Sequence, residues 1–201
     1  FLVDDQSWLP DIHSLKRTNL AIHLLNSCLV FWLCFKLLQH LLPTRSARQQ
    51  GIYALLVTAI WSLHPLQVSN VSYIIQRMNL LSTLFELGGL LLFIRGRELL
   101  SSNPYKALIL CSLAIGIFMP SAVLAKENGL LLCAFALLAE TFCFARNREP
   151  LWRIWKGLFL WLPLLAFVTY CLVEFRFFTM EYPNRNFNSW ERLLTQGPVV
   201  T

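Results

Sequence analysis

Charge is scarce in this chain: Asp, Glu, Lys and Arg make up only 14% of its 201 residues, against about 25% in an average soluble domain. So thin a charged surface argues against a soluble globule. The 17 Lys and Arg do not restore a nucleic-acid reading, because they are scattered among Leu, Phe and Trp runs and form no basic stripe. A P-loop, G-x-S-x-G, H-E-x-x-H and paired C-x-x-C are all missing, so the sequence carries no motif for phosphate-loop, nucleophile-elbow, zinc-peptidase or dithiol chemistry. The six cysteines (Cys28, Cys34, Cys111, Cys133, Cys143, Cys171) sit inside apolar segments and read as small packing residues. No metal site and no cofactor is implied. Internal repeats and low-complexity linkers are absent as well, so residues 1–201 read as one domain.

What the chain does have is apolar length. Hydrophobic residues make up 56% of it, in six runs near 19–42, 51–64, 78–94, 106–125, 128–145 and 157–175. Segments such as LLLCAFALLA have no polar face with which to front water in a soluble bundle. The expected class is therefore an all-α integral membrane protein with about six transmembrane helices and short outward amphipathic helices. The second and third runs are short for a hydrocarbon layer of about 30 Å, so part of 60–80 should extend them or lie in the interface.

Orientation follows from the basic residues, which concentrate in short cytoplasmic loops. One set of connections holds Lys36, Arg45, Arg48, Arg95, Arg97, Lys106, Arg146, Arg148, Arg153 and Lys156, opposed only by Glu98 and Glu149. That set should be cytoplasmic. The opposite set, with outward segments at about 1–18, 65–77, 126–128 and 176–201, balances its cations with acids, and both ends of the chain then face outward. Trp61, Tyr73, Tyr105, Trp152, Trp155 and Tyr170 lie near the proposed boundaries, where amphipathic rings favour the headgroup zone.

The outward segments carry the chemistry. In Ser62–Met78, Pro65 stops a helix and His64 stands at its end, where freed carbonyls favour a donor. Val68, Val71 and Ile75 recur at helical spacing, giving an amphipathic piece that Gln76 and Arg77 close. An arginine there can fork onto a phosphate or simply snorkel. Lys126 and Glu127, in the tight AKENG connection, either cap the next helix or form a cation and carboxylate pair that binds and orients a phosphate. Asp4, Asp5, Asp11 and His13 offer carboxylates and an imidazole, although an exposed acidic doublet is more often a solvated loop. Glu181–Gln196 is aromatic and charged, and an amphipathic helix is expected to open in it at Ser189 or Trp190. Inside the spans, Asn19, His23 and Asn26 share one helix face and mark an interior side, and mid-span Glu86 should meet a partner or a cavity.

The segments TNLAIHLLN, WSLHPLQVSNVSYIIQRMNLLSTLFELGGLLLFIRGR, LAKENGLLL and ERLLTQ occur in that order. In this the chain resembles the multispanning region of bacterial membrane proteins that end in tetratricopeptide repeats. Those are similar to the transmembrane and tetratricopeptide-repeat O-mannosyltransferases, polyprenol-dependent glycosyltransferases of the GT-C fold. The resemblance implies a sugar donor on a polyprenyl phosphate, a protein or glycan acceptor, and transfer at the outer face of a bacterial cytoplasmic membrane. It also implies a catalytic Asp in the first outward loop, expected to lie mostly ahead of Phe1, and repeats expected beyond Thr201, so that this piece is an incomplete enzyme. Asp4 and Asp5 are not assigned that role. The substrate-binding residues it favours are His64, Gln76, Arg77, Lys126 and Glu127. The competing readings are half of a transporter or flippase and a non-catalytic membrane scaffold for repeats; Gly-rich broken helices would favour the transporter.

Overall fold

The structure, a computed structural model, describes residues 12–144 and 150–179. Among them every regular element is helical and no strand occurs. The chain divides into two compact units, residues 1–163 and 164–201; the described part of the second is the run 164–179 of one helix. Among the described residues, three helices are long and apolar enough to cross a membrane, Ser14–Leu41, Ile74–Leu99 and Pro104–Ala125, or four if one bent pair counts as a span.

Helix α1 runs Ile12–Leu41, so the outward segment expected at 1–18 is already helical from Ile12. Helix α2, Ala47–Ser62, starts at a capping box in which Ser46 and Gln49 satisfy each other's backbone N–H groups. Its 16 residues reach only about 24 Å. It ends before Pro65, because a proline disfavours helical geometry at the residue preceding it. Helix α3, Leu66–Ser72, follows at 66° to α2. A single tight turn, Ile74–Gln76, then leads into α4, Arg77–Leu99. Gln76 and Arg77 therefore open a long helix rather than closing the amphipathic piece, which stops at Ser72.

Helix α4 packs against α1, against α5 (Pro104–Leu113), against α6 (Met119–Ala125) and against α7 (Leu131–Cys143). Its glycines allow this. A Cβ on Gly89 would stand 2.7 Å from Leu132 Cδ2 and 2.8 Å from Phe118 Cβ, and one on Gly96 would stand 2.6 Å from Cys111 Sγ. The two positions are seven residues apart on one face, so α4 presents a small-residue seam to its neighbours. Helices α5 and α6 are one rod interrupted by a π-helical turn, Ala114–Phe118, and a second such turn, Gly157–Trp161, joins α8 (Pro150–Lys156) to α9 (Leu162–Thr179). Each precedes a proline by two residues, Pro120 and Pro163. Proline clashes with the carbonyl four residues back, which lies inside each widened turn and is thereby moved away.

Several expected positions shift. Lys36, Arg97 and Lys156 belong to helices, not loops. Trp152 and Trp155 are 1% and 7% exposed and stack on each other with centroids 4.8 Å apart, so they are core and not a headgroup belt. Tyr73 and Tyr105 are exposed, as an interfacial position requires. Cys28, Cys34, Cys111, Cys133 and Cys143 are free thiols.

Candidate functional site

The polar stripe of α1 explains how the broken stretch 63–76 is tolerated. Backbone freed from helix at a bend needs partners, and α1 supplies them. Asn19 donates from Nδ2 to the carbonyls of Val71 (3.4 Å) and Tyr73 (3.2 Å), and Asn26 donates to that of Leu80 (2.9 Å). His23 Nε2 stands 3.1 Å from the Ser62 carbonyl at the end of α2. A carbonyl only accepts, so the proton sits on Nε2. Asn19 and Asn26 are fully buried and His23 is 6% exposed. The stripe is thus an interior face, as its spacing indicated.

This corrects the role given to His64. The imidazole that meets the last carbonyls of α2 belongs to His23, whereas His64 Nδ1 accepts the N–H of Leu66 at 3.2 Å. His64 itself is exposed, at the corner between α2 and α3.

Arg77 and Lys126 both reach the N-terminal end of α4, but on different faces. Arg77 donates from Nε to Asn19 Oδ1 (3.0 Å) and from Nη2 to the Leu15 carbonyl (3.2 Å), which directs it toward α1. Lys126 Nζ is hydrogen-bonded to Asn79 Oδ1. Residues 77 and 79 are about 200° apart around a helix of 3.6 residues per turn. Asn79 Nδ2 also meets Gln76 Oε1, and it reaches Asn70 Oδ1 at 3.4 Å. Lys126, Asn79, Gln76 and Asn70 therefore form one connected network, with Arg77 joined to α1 beside it. Glu127 is exposed, in the first turn of a short tight helix, Glu127–Leu130. Lys126 is extended (φ −162°, ψ 145°), which ends α6, and Gly129 is buried so closely on the backbone of Ala122 and Val123 that no Cβ fits.

Among the described residues, the groups that hold Arg77 and Lys126 are amide and carbonyl oxygens, which do not neutralise either cation. The opposite end of α4 differs. There Arg97 meets Glu140 through Nε and, at 3.0 Å, through Nη2. Trp152 Nε1 donates to the same carboxylate at 2.8 Å, and Lys156 stands 3.6 Å away. Glu98 binds Lys36 (3.0 Å), His40 (3.3 Å) and Arg95 (3.1 Å). Four of the cations assigned to the cytoplasmic side, Lys36, Arg95, Arg97 and Lys156, thus gather around two carboxylates. The sequence held one signal for the Arg97 pair, since an acid such as Glu140 inside an apolar run requires a partner.

Glu86 lines a cavity of about 520 Å³ between α1, α4 and α7 whose other walls are almost wholly apolar, including Leu33, Leu90 and Phe135. Ser82 Oγ donates to its carboxyl at 2.9 Å. Asp4, Asp5, Asp11 and the segment 181–196 lie outside the described residues, as does the side chain of His13. Among the described residues no cluster of three or more His, Cys, Asp or Glu has the geometry of a metal site.

No protein family, curated protein or solved structure matches this chain.

Proposed function

We propose that this chain is the membrane region of a multi-pass GT-C-like glycosyltransferase that takes its sugar from a polyprenyl phosphate at the outer face of a bacterial cytoplasmic membrane. The observation that carries the reading is the pair Arg77 and Lys126, brought to one end of α4 and held by Asn19, Leu15 and Asn79, with no carboxylate among the described residues that hold them. A cation fixed by neutral oxygens keeps its field for an anion, and at a headgroup boundary the anion at hand is a lipid phosphate. Gln76 and His64 belong to the same segment as Arg77, and Glu127, next to Lys126 in the chain, is the residue proposed to orient the group that Lys126 binds.

In the transfer, the bond between the sugar's anomeric carbon and the phosphate oxygen breaks and the phosphate keeps the electron pair. A bond from the acceptor hydroxyl oxygen to that carbon forms, and the hydroxyl proton passes to a carboxylate base, which the resemblance assigns to an Asp of the first outward loop and not to Glu127. Arg77 and Lys126 stabilise the charge that develops on the leaving phosphate. The acceptor is a protein or glycan, with a repeat region as its holder.

The test is binding of undecaprenyl phosphate and of undecaprenol, which lacks the phosphate, to the full-length protein in lipid nanodiscs. The phosphate form binds more tightly, and Arg77→Gln with Lys126→Gln removes that difference. Equal binding of the two lipids to the unmodified protein refutes the reading.

The bend between α2 and α3, facing a buried polar stripe, favours one other reading, because transporters place substrate at broken helices. Lipid or solute flux in proteoliposomes without any acceptor distinguishes it from a transferase.

A further inference from the structure

The cavity of about 520 Å³ between α1, α4 and α7 has a wall that also fronts the surroundings, because Leu138 and Phe142 line it while remaining 52% and 72% exposed. In a membrane-spanning bundle such side chains meet lipid, so the cavity is entered from the bilayer. Its volume falls within the range of about 300–1,000 Å³ typical of small-molecule sites, which are mostly apolar with a few placed polar groups. Leu33, Leu87 and Leu90 supply apolar wall of that kind.

Two features of the lining select the charge of the occupant. Glu86 brings a carboxyl into the wall from the middle of α4, and among the described residues the group that bonds it is Ser82 Oγ, which donates to Oε1 at 2.9 Å. A hydroxyl brings no positive charge. A carboxylate amid apolar walls needs a cation beside it, since a low dielectric penalises a lone charge and strengthens its attraction to an opposite one. The second feature is aromatic: Trp61, Phe135 and Phe142 line the same cavity, and Trp61 is fixed by stacking on His23 with centroids 5.6 Å apart. Ring faces attract cations, most strongly where water is excluded. The carboxylate and the rings therefore favour the same sign of charge. We infer that this cavity is a binding site for a lipophilic organic cation, one positive charge carried on a body of aryl or alkyl groups. A neutral lipid chain would fill the volume through the walls alone and leave Glu86 without a counter-ion.

The test uses the full chain in phosphatidylcholine nanodiscs, tritiated tetraphenylphosphonium as the probe and scintillation proximity as the readout, with empty nanodiscs as the blank. The cation binds saturably, and triphenylmethanol, which presents similar rings and a hydroxyl without the charge, does not displace it. Glu86→Gln keeps the size of the side chain and an acceptor for Ser82, and it weakens binding about tenfold or more. Phe142→Ala weakens binding about two- to fivefold; that ring is exposed, so its removal leaves the fold intact. Absence of saturable binding overturns the inference, as does displacement by triphenylmethanol equal to that by unlabelled tetraphenylphosphonium, which would mark the cavity as a seat for neutral chains. Unchanged binding in Phe142→Ala or in folded Glu86→Gln overturns it too. Should Glu86→Gln lose its cooperative thermal unfolding, the triphenylmethanol and Phe142→Ala results decide by themselves.

Discussion

Replacing Glu140 with Leu should destabilise the protein more than replacing Arg97 with Met, although the two residues form one ion pair. Both are 3% exposed, and the Arg97 guanidinium lies 4.2 Å from the Trp152 ring centroid and 5.0 Å from that of Phe144. Taking away Glu140 leaves this cation sealed between two aromatic rings, where breaking a buried pair costs about 3–5 kcal/mol. It also strips the Trp152 indole N–H of its acceptor. Taking away Arg97 is gentler, because Lys156, whose side chain is 27% exposed, already stands 3.6 Å from the carboxylate and remains as its counter-ion. That loss should be about 1–3 kcal/mol, the worth of the charged hydrogen bonds alone. In the double variant no charge is left stranded on the Arg97 side, so its stability should rise above that of Glu140→Leu, although the Trp152 indole still lacks its acceptor. Equilibrium unfolding in mixed dodecyl maltoside and SDS micelles reads all three. Equal losses in the single variants, or additive losses in the double, would refute the argument that an unpaired buried guanidinium is the dominant cost.

The charge count predicts that reporter fusions at Arg48 and Asn103 are cytoplasmic; an export-dependent reporter active at either position reverses the orientation. Asn19→Leu removes the acceptor of Arg77 and the donor to Val71 and Tyr73. It should cost about 1–3 kcal/mol in the same unfolding assay, and it should release Arg77, read as faster modification of Arg77 by phenylglyoxal. Gly96→Val places side-chain atoms where a Cβ already stands 2.6 Å from Cys111 Sγ, an overpacking of about 1–3 kcal/mol. Adding Cys111→Ala should recover part of that loss; no recovery would locate the strain on the Ala107 carbonyl instead.

The helical class and the positions of the apolar runs were set by composition and periodicity, because a stretch without polar atoms can satisfy its backbone in a low-dielectric surrounding only by forming helix. The face shared by Asn19, His23 and Asn26 was legible for a similar reason, since the spacing of four and then three fixes a helix face whatever the neighbours are. Other features depended on which distant residue came to lie opposite. Arg97 reads as a loop cation until α7, 43 residues on, brings Glu140 against it. The partners of Arg77 are on α1, and Asn79, which holds Lys126, carries no local mark of that role. His64 stands beside the proline, yet His23 takes the helix end, because α1 runs past α2 at that level and an imidazole buried there has no water to turn to. Trp152 and Trp155 sit where a headgroup belt was expected, but the indole N–H groups find acceptors on buried Glu140 and half-buried Ser112, and a satisfied indole is free to enter the core. Local sequence determined which segments are helical and which faces are polar; only the packing of α4 among its neighbours decided which charge meets which oxygen.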